Sequence, residues 1–303
     1  MPQNHPLSRS VLSVPHVFLA AFVALAGFTV AEAQHQTTEP VYRVAREAPA
    51  RPPGQSAATA NAAAAAGFDL VQRPGEHPLA PAIRTLDLVL ANIDQNVRDY
   101  SCTFKKQERI DGDLAEPQTI SMKVRHDPFS VYMKFLQPYA GREVLYVAGQ
   151  RENQMLVLES GWKRIAGKLE LDPQGAMAMR GQKHPITDIG IRNLTAKIKA
   201  VAEAEAQFLE SEVAVNPNMK IGDRPVTLIQ VTHPQPRRNF HAHVWRVFLD
   251  NELKVPVHYD SYLWPEGAQE APPLESSYTY GNLKINGGLT PQDFDPENGQ
   301  IFQ

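Results

Sequence analysis

The nearest approach to a metal-binding pattern in this sequence is His241-Ala242-His243. On a strand, side chains two residues apart share a face, so both imidazoles could reach one ion. His233 and His258 are candidates for a third ligand, but spacing fixes neither, and Trp245 and Val247 continue the same face toward a core edge. The reading therefore assigns no metal and no cofactor. Asp293-Phe-Asp-Pro-Glu-Asn-Gly carries the acidic residues of a calcium loop, but its glycine is displaced from the sixth position and no glutamate stands at the twelfth. It reads as a polar turn. Cys102 is the single cysteine and stands two residues before Phe104 in a strand-like run. That setting fits a buried, inert thiol better than a nucleophile. No Gly-x-Ser-x-Gly elbow, His-Glu-x-x-His pair or glycine-rich phosphate loop occurs. No catalytic residue is assigned, and the expected class is a binding protein and not an enzyme.

The residues with a clear pattern are apolar. In Gln118 to His126, Ile120, Met122 and Val124 alternate with Ser121, Lys123 and Arg125. In Phe129 to Gln137, Phe129, Val131, Met133 and Phe135 alternate with Ser130, Tyr132 and Lys134. Period-two alternation marks strands with one covered face. These seven apolar residues are the candidate lining of a ligand cavity. Five aromatics, Tyr259, Tyr262, Trp264, Tyr278 and Tyr280, fall on two later strands. They are either a wall for a lipid-like ligand or ordinary strand formers.

Two amphipathic helices must position these strands. In the first, Ile83, Leu86, Leu90, Ile93 and Val97 recur at steps of three and four, with Pro81 near its start. The second runs from about Thr187 to Leu209, with Ile191, Leu194, Ile198, Val201 and Phe208 on one face. The remaining strands are read at Tyr100–Ile110, Glu143–Ala148, Gln154–Glu159, Val226–Thr232, His243–Leu249, Val255–Leu263 and Ser277–Ile285. Short turn-linked strands with few helices predict an α+β fold, mainly antiparallel, whose sheet curves into a half-open barrel with two helices as a lid.

Three spans divide the chain. Residues 1–33 read as a signal peptide: Arg9, the apolar run Val11–Val30, and the small-x-small sequence Ala31-Glu32-Ala33. A retained anchor is the alternative, because the run approaches the about 20 residues that a span requires. Residues 34–78 are rich in Pro and Ala, lack apolar periodicity and read as a disordered linker. Residues 79–303 form one β-rich domain. A formal net charge of −3 gives no sign of nucleic-acid binding, and a single cysteine leaves the core without a disulfide. The expected location is the periplasm or cell envelope, peripheral to the membrane and not spanning it.

Several stretches together resemble an exported bacterial family, domain of unknown function 1571. They are Tyr100-Ser-Cys-Thr-Phe-Lys-Lys-Gln-Glu, Arg125-His-Asp-Pro-Phe, Leu136-Gln-Pro-Tyr-Ala-Gly-Arg-Glu-Val, Leu171-Asp-Pro-Gln-Gly and Ala178-Met-Arg-Gly. His184-Pro-Ile-Thr-Asp-Ile-Gly, Pro256-Val-His-Tyr-Asp-Ser-Tyr-Leu-Trp-Pro, Tyr278-Thr-Tyr-Gly-Asn-Leu-Lys-Ile-Asn and Phe294-Asp-Pro complete the set. The architecture is similar to that of the lipoprotein carriers LolA and LolB, half-open barrels whose apolar concave face takes acyl chains. The resemblance implies that fold and, by analogy, an apolar or acylated ligand. It also sets Arg125 in the place of a basic residue at the cavity rim, whereas strand parity sends Arg125 to the side opposite Met122 and Val124. The expected function is a cell-envelope binding protein holding a lipid-like or acyl ligand. The alternative is an envelope protein-interaction module without a lipid, and a hydrolase with an unrecognised site ranks behind both.

Overall fold

The computed structural model describes residues 67–267 and 270–302. The expected signal segment and most of the linker lie outside the described residues. The packed chain begins earlier than Leu79. Phe68 and Leu70 are 3% and 1% exposed within the core. Between them Asp69 accepts from Arg84 Nε at 2.9 Å, and Glu76 accepts from Arg84 Nη1 at 2.9 Å. An apolar pair spaced by two is too short a signal to register against Pro- and Ala-rich surroundings.

Helix α1 spans Ala80–Asn96, with Pro in its first turn where a missing N–H costs no hydrogen bond. It buries Ala82, Leu86, Val89 and Ile93, and leaves Ile83 and Leu90 half-exposed. Strand β1 (Asp99–Ile110) follows, then the two-residue β2 (Asp113–Leu114), β3 (Gln118–Arg125), β4 (Ser130–Gln137), β5 (Glu143–Val147), β6 (Met155–Leu158) and β7 (Lys168–Leu171). A crossing segment holds the short helix α2 (Ala176–Met179) and leads into α3 (Ile191–Glu205). Strands β8 (Glu212–Ile221), β9 (Arg224–Thr232), β10 (Val244–Asp250), β11 (Pro256–Tyr262) and β12 (Leu274–Ile285) complete the set.

These strands form one twelve-stranded sheet in the order β7-β6-β5-β4-β3-β1-β12-β11-β10-β9-β8, with β2 paired to β1 off that path. Every pairing is antiparallel. Pairing of β1 with β12 joins the chain's first run of strands to its second. Strands β7 and β8 are the two edges, so the sheet is open. At about 4.8 Å per strand, a flat sheet of this order would be roughly 48 Å across. One contiguous apolar core nevertheless runs from Leu171 on one edge strand to Val213 on the other, with both long helices in it. The sheet therefore curls, as twisted antiparallel strands do when a core fills their concave side. This is the open, mainly antiparallel architecture that the sequence predicts.

The two faces are covered differently. Helices α1 and α3 lie together over the concave face, linked by Arg192 Nε to Asp94 at 2.5 Å and Lys199 to Asp87 at 3.1 Å. The opposite face of β4–β6 is covered by the C-terminal segment. Phe294 and Ile301 pack there on Tyr132, Leu145, Val147 and Leu156. Tyr132 Oη donates to the buried Glu143 carboxylate at 2.5 Å, and the Phe302 N–H donates to the same group. Asp293, read as part of a polar turn, accepts from Lys123 at 2.8 Å and caps the turn that starts at Thr290.

Candidate ligand-binding site

On the concave side of β1, the even positions change character along the strand. Tyr100, Cys102 and Phe104 are buried apolar residues, and Lys106 and Glu108 follow at 8% and 5% exposure. Burial pushes the Cys102 thiol up to about 12, so it stays protonated and inert at neutral pH. Two cavities flank this strand and share Phe104, Lys106, His184 and Ile189 as wall.

The first cavity, of about 110 Å³, lies against β3–β7 and under α2. One water needs only about 10–15 Å³ of such space, so it has room for a ligand segment. Its floor is Ile120, Met133, Phe135, Val144, Met155 and Val157. Met177 and Ala178 of α2 form the roof, and Met177 remains 69% exposed. Lys106 stands in the wall shared with the second cavity, and Arg142, Glu159 and Arg180 also line the first. Arg142 clamps Glu159 with two hydrogen bonds, at 3.0 and 2.6 Å, and its guanidinium lies 5.7 Å from the Phe135 ring centroid. Arg180 is exposed, at the margin of the cavity.

The second cavity, of about 180 Å³, lies between β1, β11, β12 and α3. Leu194, Ile198 and Val201 of α3 face Tyr259, Tyr278 and Tyr280 across it. The tyrosine rings stack in series: Phe104 on Tyr278 at 6.2 Å between centroids, and Tyr278 on Tyr259 at 6.1 Å.

A polar cluster separates the two. Lys106 Nζ donates to Glu108 at 3.0 Å and to Gln182 Oε1 at 2.5 Å. Tyr278 Oη donates to Glu108 at 2.7 Å, and the Lys183 N–H donates to it at 3.2 Å. Burial alone would raise the Glu108 pKa. The Lys106 charge and these hydrogen bonds outweigh burial and hold it below the usual glutamate range. His184 accepts from Lys197 at 3.0 Å. Burial and the Lys197 charge both depress its pKa, so the ring is neutral at neutral pH.

The seven candidate lining residues divide. Ile120, Met133 and Phe135 line the first cavity. Met122, Val124 and Val131 share their face but are fully buried where the helices close on the sheet. Phe129 is half-buried against the core, with its ring 6.2 Å from that of Tyr146. Arg125, which the resemblance sets at the rim, is not among the residues lining either cavity. Parity carries it to the opposite face, where Nη2 donates to Ser130 Oγ at 3.3 Å and the guanidinium sits 5.4 Å from the Phe294 ring centroid. Of the five aromatics, Tyr259, Tyr278 and Tyr280 line the second cavity. Tyr262 turns outward to accept from Arg246 at 2.7 Å, and Trp264 Nε1 donates to the His233 carbonyl at 3.1 Å.

His241 and His243 precede β10 and so do not share a strand face. His243 Nδ1 lies 2.8 Å from the His233 carbonyl, while His241 lines the second cavity, made neutral chiefly by burial. Among the described residues, no group of three His, Cys, Asp or Glu side chains is placed to hold a metal. Reasoning from the sequence missed Lys106, Glu108, Arg142, Arg180, His184 and the concave side of β5–β7. The signal was present, since all five named polar residues fall within the stretches on which the family resemblance rests.

Fold and site together define a curled, open antiparallel sheet with a helical cover and two apolar chambers divided by a buried ion pair. The chain belongs to the family described as protein of unknown function (DUF1571), which matches residues 97–301. No curated protein matches it. Among solved structures it is similar to lipoprotein LppX of Mycobacterium tuberculosis, at 11% identity, TM-score 0.40, over 71% of this chain and 100% of that one. A LolA superfamily protein from Nitrosomonas europaea shares 10% identity, TM-score 0.28, over 69% and 97%. A DUF1329 family protein from Desulfovibrio piger shares 10%, TM-score 0.35, over 72% and 98%. Among the described residues, no helix is long and apolar enough to cross a membrane.

Proposed function

We propose that this chain is an exported binding protein of the periplasm or cell envelope that holds a lipid-like or acyl ligand on the concave face of its sheet. The observation that carries this reading is the first cavity. Its floor is six apolar side chains from β3–β6, and its roof is one loosely covered turn of helix. Apolar burial at about 25 cal/mol per Å² would drive an alkyl chain into such a space. Lifting of α2, whose Met177 is exposed, would let the chain in and out. The apolar run and Ala31-Glu32-Ala33 near the start support export.

A saturable fluorescence change with a fatty-acid probe tests the reading. The probe should bind the wild type, and Met133→Lys, which sets an ammonium in the floor, should weaken binding while circular dichroism still reports a folded protein. Wild-type protein that binds no probe contradicts it.

A second reading has its own observation. Trp162 and Ile165, in the turn between β6 and β7, are 80% and 91% exposed. Large apolar side chains in that state favour a contact surface for an envelope protein. Lipid extraction and mass spectrometry of protein purified from its native envelope separate the two. A reproducible lipid supports the first. An empty protein with a partner that is lost on Trp162→Ala supports the second.

A further inference from the structure

Resting on that reading, we propose that the ligand is a single-chain amphiphile with an anionic headgroup, its chain in the first cavity and its headgroup at Arg180. The charges around the cavity lead there. Lys106, the buried cation of its wall, is neutralised by Glu108 at 3.0 Å. Arg142 is neutralised by Glu159 at 2.6 Å. His184 is neutral through burial and the nearby Lys197. Glu159, the one carboxylate that lines this cavity among the described residues, is already paired with Arg142. Arg180 alone among the lining cations has no ion pair or side-chain hydrogen bond among the described residues. It follows directly on α2, so the unmatched charge stands beside the apolar roof formed by Met177 and Ala178.

That arrangement matches the two ends of an amphiphile. The floor takes a chain and offers no hydrogen-bond partner to a headgroup. A planar guanidinium at the margin presents paired N–H donors suited to a carboxylate or a phosphate. A neutral headgroup would leave the arginine to water and gain no ion pair. One chamber of about 110 Å³ roofed by a four-residue helix fits one chain better than several.

Competition against a pyrene-labelled monoacylglycerol tests this, with three competitors that each carry one palmitoyl chain: palmitate, lysophosphatidylglycerol and neutral monopalmitoylglycerol. All are used below the concentrations at which they form micelles. The two anionic competitors should bind about two- to fivefold more tightly than the neutral one, the range of an exposed ion pair, and the preference should shrink as salt is added. In Arg180→Gln the ratio of anionic to neutral affinity should fall to about one, and Arg180→Lys should restore part of it. Preference for only one anion identifies a carboxylate or a phosphate as the headgroup. Equal binding of all three by the wild type, or an anion preference that survives in Arg180→Gln, overturns the inference but leaves the binding reading standing. Failure of the wild type to bind the labelled probe or any competitor removes both.

Discussion

Lys106 and Glu108 stand at 8% and 5% exposure on the concave side of β1, where the strand's alternation would otherwise continue apolar. An ion pair placed there is a weak source of stability, because desolvation offsets most of the attraction. Breaking it is another matter, since the surviving charge stays buried. What makes the site tenable is complete satisfaction of Glu108 by Lys106, Tyr278 and the Lys183 N–H. The same contacts fix the sign of its pH dependence. Free glutamate titrates near about 4.3, and Glu108 in the fold titrates below its ordinary value. On acidification the unfolded chain binds that proton first. The contribution is therefore complete above about pH 5 and is lost as pH falls through the folded pKa. Asp260 and Asp293 are also depressed, Asp260 by His258 and Arg246 and Asp293 by Lys123 and Thr290, each against an opposing effect of burial. Replacing Glu108 thus removes only part of the acid limb. Urea midpoints measured from pH 7 to pH 3 should fall less steeply in Glu108→Gln than in the wild type. Parallel curves would show that the cluster does not titrate as described.

At the level of elements, the junction before α3 decides how the cover sits on the sheet. Gly190 caps the helix with φ 112°. A Cβ there would stand 2.8 Å from Tyr100 Oη, which accepts the Ile191 N–H at 3.1 Å. Gly190→Ala combines a strained backbone with a clash against a fully buried ring, and should cost about 1–3 kcal/mol. A urea midpoint equal to wild type would contradict this.

Gly190 ends His184-Pro-Ile-Thr-Asp-Ile-Gly, so the junction was visible as a stretch of sequence although its geometry was not. Legibility followed the length and regularity of pattern elsewhere too. Strand β3 alternates over eight residues, and in β4 Val131, Met133 and Phe135 recur at every second position, so both are readable from period alone. Strand β7 and helix α2 have four residues each, too few to establish any period. Strand β8 was hidden by Pro217, which an edge strand tolerates at the register shift between Asn216 and Met219. Within the site, parity located Ile120, Met133 and Phe135 on the concave side. It could not separate them from Met122, Val124 and Val131, because where the helices close is a tertiary fact. Arg180 and Lys106 escaped notice because charge on a sequence does not reveal whether a partner neutralises it.

For the molecule as a whole, the essential asymmetry is between the two faces of one sheet. The outer face of β4–β6 is sealed by Phe294 and Ile301, with Glu143 tied to Phe302 beneath them. The concave face is covered by α1 and α3 but not filled, and two cavities lie on either side of Phe104 and Lys106, the second of them against α3. On the proposed function, an acyl ligand would occupy the concave face and not the outer one. Photolabelling with a fatty acid carrying a diazirine at the end of its chain, followed by peptide mapping, tests this most directly. The account predicts label on the concave side chains of β4–β6, such as Met133, Val144 and Val157, or on Met177 and Ala178 of the roof. Label concentrated on Leu145, Leu156 or Phe294 of the outer face, or scattered over the surface without saturation, would contradict it.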